Sequence, residues 1–232
     1  VPGTGIGTLS VGPLARLDAA GLLTVLDRYP YGCSEQIASA AMPLLYLDDV
    51  ATAMGLATRD EVALRIDQAI RDVLANQSSN GAFGLWGPWS GDLWLDAYVT
   101  DFLSRARARG YQVPDIAWTT ALDNLRNRVN YYPEFESGGE DIAYALMILA
   151  REGAAAVGDL RYYADERAFA FSTPLGLAQL GAALAYYGDQ ARADGMFAKA
   201  QAMLTGQRGT LDETLWRVDY GSYRRDAAAL LA

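Results

Sequence analysis

The apolar residues of this chain recur with the period of the α-helix along most of its length, which constrains the fold more than any other feature. Segments of about 10 to 20 residues, an ordinary helix length, each carry such a stripe; one example follows the capping-box residues Thr58 and Glu61 and runs through Val62, Ile66, Ala69, Ile70, Val73 and Leu74. Apart from a short extended piece at residues 8–11, no β-strand pattern of any length competes with the helical one. The sequence therefore predicts an all-α fold.

The predicted helices alternate in character. Nearly all-apolar segments lie at 34–54, 93–109, 142–152 and 174–187, and the segments between them have a charged face. Stacked helical hairpins with an inner and an outer layer produce this alternation. We predict an α/α toroid like that of terpenoid cyclases and prenyltransferases, with an irregular helical bundle as the alternative.

The domain limits follow from composition. Residues 1–13 are rich in Gly and Pro and are expected to be an approach segment from a preceding domain, with one helical domain over 14–232. The last helix ends soon after it starts, so we expect further helices to be needed to close the ring. Residues 206–221 form a longer excursion.

Local signals set the predicted helix boundaries. Beyond Thr58 and Glu61, we expect helix starts at Asp92 or Leu93, at Asp115, at a second capping box formed by Ser137 and Glu140, at Thr173 followed by Pro174, and at Ser222. Residues 14–28 predict an amphipathic helix. Pro43 is expected to kink the helix predicted over 34–54.

The net charge argues against two classes of partner, and the hydropathy pattern argues against a membrane span. The net charge of −9 argues against nucleic acid and anionic membrane surfaces. The uncharged run at 168–188 is long enough for a bilayer, but Thr173 and Pro174 divide it, which leaves a helix too short to span one. We predict a buried inner helix there.

The chain contains one cysteine, Cys33, and no histidine. An intramolecular disulfide needs a second cysteine, a Cys–His nucleophile pair needs a histidine, and a zinc site needs several N or S ligands. Two readings remain: a buried structural thiol, or a chemistry that needs only Cys33 and its neighbours.

Cys33 and Gln36 lie three residues apart at the predicted start of a helix, where positions i and i+3 share a face. Attack of the thiol on the Gln36 carboxamide with loss of ammonia would give an internal thioester. A helix N-terminus favours the thiolate. Gly32 offers backbone without a side chain where the ring must close.

The run Gly32-Cys33-Ser34-Glu35-Gln36 resembles the Gly-Cys-x-Glu-Gln thioester motif of the α2-macroglobulin and complement family, and the preceding Tyr29-Pro30-Tyr31 is similar to its bacterial branch. The resemblance continues through residues 77–86, the run 94–99, and Asp219-Tyr220-Gly221-Ser222 with Arg225-Asp226-Ala227. It implies a thioester between Cys33 and Gln36, with Glu35 assisting thioester formation or amine proton transfer. A carboxylate in the first turn of a helix is the structural alternative for Glu35.

The resemblance also implies that the thioester is shielded from water until it is triggered. The candidates for this shielding are Tyr29, Tyr31, Trp86, Trp89 and Trp94, for each of which core packing is an equal alternative. Many complement members carry a histidine, in the loop before the helix of the second block, that redirects the acyl group to hydroxyls. Without it, lysine amines are expected to be favoured over sugar hydroxyls.

This resemblance implies the thioester domain of a bacterial protease inhibitor in the periplasm or cell envelope. Such a protein captures each protease covalently and only once, so it is not a turnover enzyme, and it needs no cofactor. Its partners are protease lysines and the other domains of the same protein. Two alternatives stay open. One is a helical binding domain with a buried structural Cys33. The other is a toroid enzyme, because Gln77, Gly81 and Phe83 resemble a terpenoid-cyclase repeat, although the acidic motifs of those enzymes are missing.

Overall fold

The computed structural model describes residues 21, 32–46, 52, 57–89, 91–206, 217 and 219–231. These residues form helices and loops and contain no β-strand. Pairing of strand type is limited there to two isolated bridges, Gln77 with Phe83 and Gly138 with Phe171. The all-α prediction is confirmed.

The helices follow one another through short connections. They are α1 (Ser34–Ala41), α2 (Arg59–Ala75), α3 (Leu93–Ala108), α4 (Asp115–Asn130), α5 (Glu140–Arg151), α6 (Val157–Asp165), α7 (Pro174–Tyr186), α8 (Gln190–Gly206) and α9 (Tyr223–Ala229), with a 3-10 turn at Ala168–Ala170 between α6 and α7.

Most predicted helix starts are found where the capping signals place them. At the start of α2, Glu61 N–H donates to Thr58 Oγ1 at 3.2 Å and Thr58 N–H donates to Glu61 Oε2 at 2.7 Å, which completes the predicted capping box. The side chains of Asp92, Thr173 and Ser222 accept backbone N–H groups in the same way at the starts of α3, α7 and α9. Pro174 occupies the first turn of α7.

Two predicted caps are wrong. Ser137 does not cap α5: its hydroxyl pairs with that of Ser172 at 2.7 Å, and Gly139, with φ of 77°, precedes the first residue of the helix. Asp115 is the first residue of α4 and not its cap, since Pro114 holds that position without a side-chain hydrogen bond. In the first case a tertiary contact takes the hydroxyl that the local motif would use.

The helix predicted over 34–54 is also shorter than expected. α1 ends at Ala41, and the chain turns at Met42 and Pro43 before helical backbone resumes at Leu44. Leu45 and Tyr46 donate to the carbonyls of Met42 and Pro43, three residues back. Because proline has no N–H and clashes with the preceding turn, the helix breaks here instead of bending.

The helices form two sets that differ in burial. α3, α5 and α7 are buried around most of their circumference, whereas α2, α4, α6 and α8 each bury one stripe. α1, α3, α5, α7 and α9 pack side by side in chain order, and each of the four one-sided helices packs on one or two helices of this series. One core lies around α1, α2 and α3, and a second around α5, α7 and α8.

The inner helices α3, α5, α7 and α9 border an open cavity of about 940 Å³, lined by Asp101 and Arg105 of α3, Arg151 of α5, Gln179 of α7 and Arg225 of α9. A central cavity bordered by successive inner helices is the arrangement that a toroid requires. Closure of the ring stays a prediction, which this cavity supports.

Several predictions fall outside the described residues: the approach segment 1–13, the helix at 14–28 apart from Gly21, the aromatic residues Tyr29 and Tyr31, and most of the excursion at 206–221. Within the run at 168–188 the predicted buried helix is found as α7, and the 3-10 turn precedes it. None of the helices in the described ranges combines the length and apolarity needed to cross a membrane.

Candidate functional site

Cys33 and Gln36 meet at the first turn of α1. Cys33 is the N-cap residue, with extended backbone (φ −74°, ψ 158°) and a side chain that is 6% exposed. Gln36 is half-buried, and its Oε1 accepts the N–H of Cys33 at 3.4 Å. The thiol and the carboxamide therefore lie on the same face, in the arrangement of a capping box.

Gly32 precedes this turn in an exposed position. A Cβ added there would meet no heavy atom within 4 Å. The described residues therefore give no steric reason for a glycine at this position.

A glycine-rich loop is docked on the N-terminus of α1. Ser34, fully buried, donates through its hydroxyl to the Gly84 carbonyl at 2.7 Å and through its N–H to the Leu85 carbonyl at 2.9 Å. A Cβ at Gly84 would lie 2.1 Å from the Gly87 carbonyl oxygen, so the loop is too tight for a side chain there. The loop that carries Trp86 and Trp89 is thus fixed beside Cys33.

The candidate shielding residues have different environments. Trp94 is buried in the core, where it stacks on Tyr98 with ring centroids 4.9 Å apart. Trp86 and Trp89 are 62% and 61% exposed, so core packing does not account for them. Tyr29 and Tyr31 lie outside the described residues.

The structure adds Tyr220 to this neighbourhood. Its ring packs edge-on against Trp94 with centroids 5.0 Å apart, and its backbone has φ of 53°. Burial and then the negative charges of Asp92, Glu35 and Cys33 raise the pKa of Tyr220. Tyr220 belongs to a run that resembles the family, but nothing in the spacing of the sequence indicated that this residue lies near Cys33.

An ion-pair network holds the segment around Tyr220. Arg217 binds Asp219 at 2.7 Å and 2.9 Å and binds Asp226 at 2.8 Å and 3.0 Å, so both pairs are bidentate. Both carboxylates are 1% exposed. The Gly221 N–H also donates to Asp219 Oδ1 at 3.0 Å, which fixes the backbone after Tyr220.

Glu35 is held by a second set of hydrogen bonds. Ser39, one turn further along α1, donates to Glu35 Oε1 at 2.6 Å, and its Oγ lies 2.9 Å from the Tyr98 hydroxyl. Glu35 is half-buried. Sequence reasoning selected Glu35 but missed Ser39 and Tyr98, because nothing local identifies a partner 59 residues away in the chain.

A buried carboxylate of α3 binds the backbone at the start of the glycine-rich loop. Asp96, fully buried in α3, accepts the Phe83 N–H at 2.7 Å and an amide hydrogen of Asn124 at 2.9 Å. Burial raises the pKa of Asp96, and these two hydrogen bonds oppose that effect. Gln77 also serves the fold here, donating to the Ala117 carbonyl at 2.9 Å.

The site thus combines a thiol, a carboxamide and a fixed carboxylate at the start of one helix. Within the described ranges, no group of three or more His, Cys, Asp or Glu residues is arranged to hold a metal ion. The chemistry open to this arrangement is acyl transfer between Cys33 and Gln36.

Comparison with known proteins points to one family. The model of the A-macroglobulin TED domain matches residues 9–131. The alpha-2-macroglobulin of Escherichia coli K12 is 37% identical over 230 residues, which cover 93% of this chain and 14% of that protein. The alpha-2-macroglobulin of Xylella fastidiosa Temecula1 is 34% identical and covers 97% of this chain. The chain spans about one seventh of the length of these relatives.

Solved structures agree with the sequence matches. Native alpha-2-macroglobulin of Escherichia coli, from domain MG7 to the C-terminus, superposes with a TM-score of 0.80 at 35% identity, over 93% of this chain and 35% of that one. Salmonella alpha-2-macroglobulin reacted with methylamine superposes with a TM-score of 0.78 at 34% identity, over 91% of this chain and 14% of that one.

Proposed function

This chain belongs to the A-macroglobulin TED domain family, and on that premise we propose that Cys33 and Gln36 form an internal thioester that captures proteases. The observation that carries the proposal is the shared face of the Cys33 thiol and the Gln36 carboxamide at the first turn of α1. The motif Gly32-Cys33-Ser34-Glu35-Gln36 provides the chemistry, and the helix start provides the geometry.

The thioester forms when Cys33 Sγ attacks Cδ of Gln36. The C–N bond of the carboxamide breaks, and ammonia leaves with the thiol proton. The acyl carbon is then on a half-buried side chain, whereas the sulfur is on a buried one. A nucleophile therefore approaches from the Gln36 side and the thiolate departs toward the interior, at a helix N-terminus that favours negative charge.

Lysine amines of a protease are the proposed nucleophiles. The chain has no histidine that could carry the acyl group to a hydroxyl, so direct attack favours the stronger nucleophile. The product is an amide between Gln36 and the lysine, with a free Cys33 thiol. Each molecule reacts once, so the protein acts as an inhibitor and not as a turnover enzyme; the cyclase-type alternative is not favoured by the family assignment.

The proposed location of the whole protein and the trigger of its reaction follow from the family resemblance. The relatives are bacterial, and one solved relative is described as activated by porcine elastase. We place this protein in the periplasm or cell envelope, with protease cleavage elsewhere in the whole protein as the trigger. Exposed Trp86 and Trp89 and buried Trp94, together with Tyr29 and Tyr31, are the proposed shield, the exposed members covering the thioester against another domain of the same protein.

The direct test is the intact mass and free-thiol count of the whole protein. The thioester predicts a mass one ammonia below the sequence mass and no free thiol. Methylamine is the probe, since a Salmonella relative is described as reacted with it; it should restore the thiol and attach to Gln36. Cys33→Ala is the control that should show neither change.

Other outcomes have distinct meanings. Glutamate at position 36 beside a free thiol would identify a thioester that had formed and been hydrolysed. An unmodified Gln36 beside a free thiol in carefully prepared whole protein would contradict the proposal. It would favour the alternative of a buried structural cysteine.

A further inference from the structure

A chain of hydroxyl groups leads from the core to Glu35, the residue before Gln36. Ser39 has one hydroxyl proton and donates it to Glu35 Oε1 at 2.6 Å. The hydrogen bond of 2.9 Å between Ser39 and Tyr98 must then have the Tyr98 hydroxyl as its donor. Both protons point toward the carboxylate, which is the arrangement that stabilises its ionised form.

Tyr98 anchors this chain of hydrogen bonds to α3. Its ring stacks on buried Trp94 with an interplanar angle of 15°. Burial raises the pKa of Tyr98, so its hydroxyl keeps the proton that it donates. The carboxylate of a half-exposed residue is therefore held by a rigid core element.

Only one oxygen of Glu35 is used by these contacts. Ser39 binds Oε1, and no hydrogen bond from the described residues reaches Oε2. Asp92, the other carboxylate whose charge acts on this neighbourhood, caps α3 by accepting the Leu95 N–H at 2.6 Å. Glu35 is thus the carboxylate with an oxygen available to a group approaching Gln36.

We propose that Ser39 and Tyr98 are positioning residues that hold the Glu35 carboxylate to accept the proton of the amine that attacks Gln36. This inference rests on the proposed thioester. In a chain without histidine, the Glu35 carboxylate, which acts together with Cys33 on the neighbouring Tyr220, takes the part that a general base plays in acyl transfer.

The amine nitrogen forms a bond to Cδ of Gln36 and passes a proton to Glu35 Oε2. The C–S bond breaks, and its electron pair leaves with Cys33 Sγ. The proton on Glu35 then returns through solvent to the thiolate, so the products are an amide and a thiol.

The experiment measures the rate of thiol release in the whole protein, with and without the Glu35 carboxylate. Methylamine is the probe, and Glu35→Gln is the variant that removes the carboxylate.

The variants are Ser39→Ala and Tyr98→Phe, with Ser79→Ala and Tyr162→Phe as matched controls at exposed positions. We expect Ser39→Ala and Tyr98→Phe to form the thioester, with a mass one ammonia low, and to release thiol about 10- to 100-fold more slowly. This loss is smaller than the roughly 10²- to 10⁴-fold contribution of a general base, because Glu35 itself is kept. In a Glu35→Gln background the same two substitutions should change the rate little further, because they act through the carboxylate that is already removed. The controls should match the wild type in both readouts.

Three results would overturn the inference. Rates within twofold of the wild type in both variants, with closed thioesters, would refute it while leaving the thioester intact. Failure of the variants to close beside a closed wild type would assign the carboxylate to thioester formation instead. A wild type with no ammonia deficit would refute the proposed function itself.

Discussion

Ser34 donates its hydroxyl proton to the carbonyl oxygen of Gly84 at 2.7 Å, across 50 positions of sequence. The same hydroxyl accepts a hydrogen bond from Asn76 Nδ2 at 2.8 Å. The residue after Cys33 thus joins the start of α1 to the end of α2 and to the glycine-rich loop. This buried hydroxyl, together with the hydrogen bond from the Ser34 N–H to the Leu85 carbonyl, holds the loop beside the thiol.

Replacing Ser34 by Ala should lower the free energy of unfolding by about 1 to 3 kcal/mol, because the Gly84 carbonyl and the Asn76 amide lose a buried partner. A loosened loop should also admit water, so the thioester should hydrolyse faster. Urea denaturation measures the first effect and the free-thiol count over time the second. Ser79→Ala, at an exposed position, is the control. Equal stability of Ser34→Ala and wild type would show that the Ser34 hydroxyl does not hold the loop.

The part of the fold that sequence predicted is the part that neighbours in the chain determine. Thr58 with Glu61 and Thr173 with Pro174 mark helix starts because the capping atoms lie within one turn. Ser137 failed as a cap because Ser172, distant in sequence, binds its hydroxyl. A capping motif has no means of showing that a tertiary partner competes for it.

The candidate site divides in the same way. Cys33, Glu35 and Gln36 could be selected from sequence because their chemistry depends on spacing within one helical turn. Tyr98 and Tyr220 could not, since they reach the site through the packing of α3 and of the segment before α9. The order of the inner helices, which brings those segments together, is a property of the whole chain.

Gly139 should not tolerate a side chain. Its φ is 77°, and a Cβ would lie 2.5 Å from Phe135 Cε2 and 2.9 Å from Phe171 Cδ1. Gly139→Ala should therefore lose about 1 to 2 kcal/mol from the left-handed backbone and a further ~1 to 3 kcal/mol from overpacking. Thermal unfolding measures the loss.

Gly158→Ala is the matched control for Gly139→Ala. It lies in α6, its φ is ordinary, and no heavy atom lies within 4 Å of the added Cβ. Alanine there should stabilise the protein by about 0.4 to 1 kcal/mol, because it restricts the unfolded chain without strain. If both variants shifted the melting temperature equally, the steric explanation for Gly139 would be wrong.

Arg217→Leu should be among the most destabilising single changes in the described part of the chain. It removes the ion pairs of Arg217 with Asp219 and Asp226, each 1% exposed. Asp226 is then left without an ion-pair partner among the described residues, and Asp219 keeps only the longer contact with Arg225 at 3.7 Å. Breaking a buried pair costs about 3 to 5 kcal/mol. Because the Tyr220 ring packs on Trp94, tryptophan fluorescence should change along with stability.

Arg192→Leu provides the comparison for Arg217. Arg192 also binds two aspartates, Asp165 and Asp189, but it lies at the surface. Solvent screens such pairs, so the loss of stability should be much smaller. Similar losses for the two variants would mean that burial of Asp219 and Asp226 contributes little.

The stability of the fold should depend on pH through Asp96. Burial raises its pKa above the ordinary value of 3.8 despite the hydrogen bonds from Phe83 and Asn124. Between the unfolded and folded pKa values the folded state binds more protons than the unfolded state. The contribution of Asp96 is therefore fully present below the unfolded pKa and is lost as the pH rises through the folded pKa.

Asp96→Asn isolates this effect, because asparagine does not titrate and can still accept the Phe83 N–H while the Asn124 amide turns to accept in its place. The free energy of unfolding of both proteins should be measured by urea denaturation from about pH 7 down to about pH 4, approaching the ordinary range of an aspartate. Other titrating groups act equally in the two proteins and cancel in the difference. The stability of the wild type relative to Asp96→Asn should rise as the pH falls. A difference that stays constant, or that falls on acidification, would show that the folded pKa of Asp96 is not raised and that its hydrogen bonds outweigh its burial.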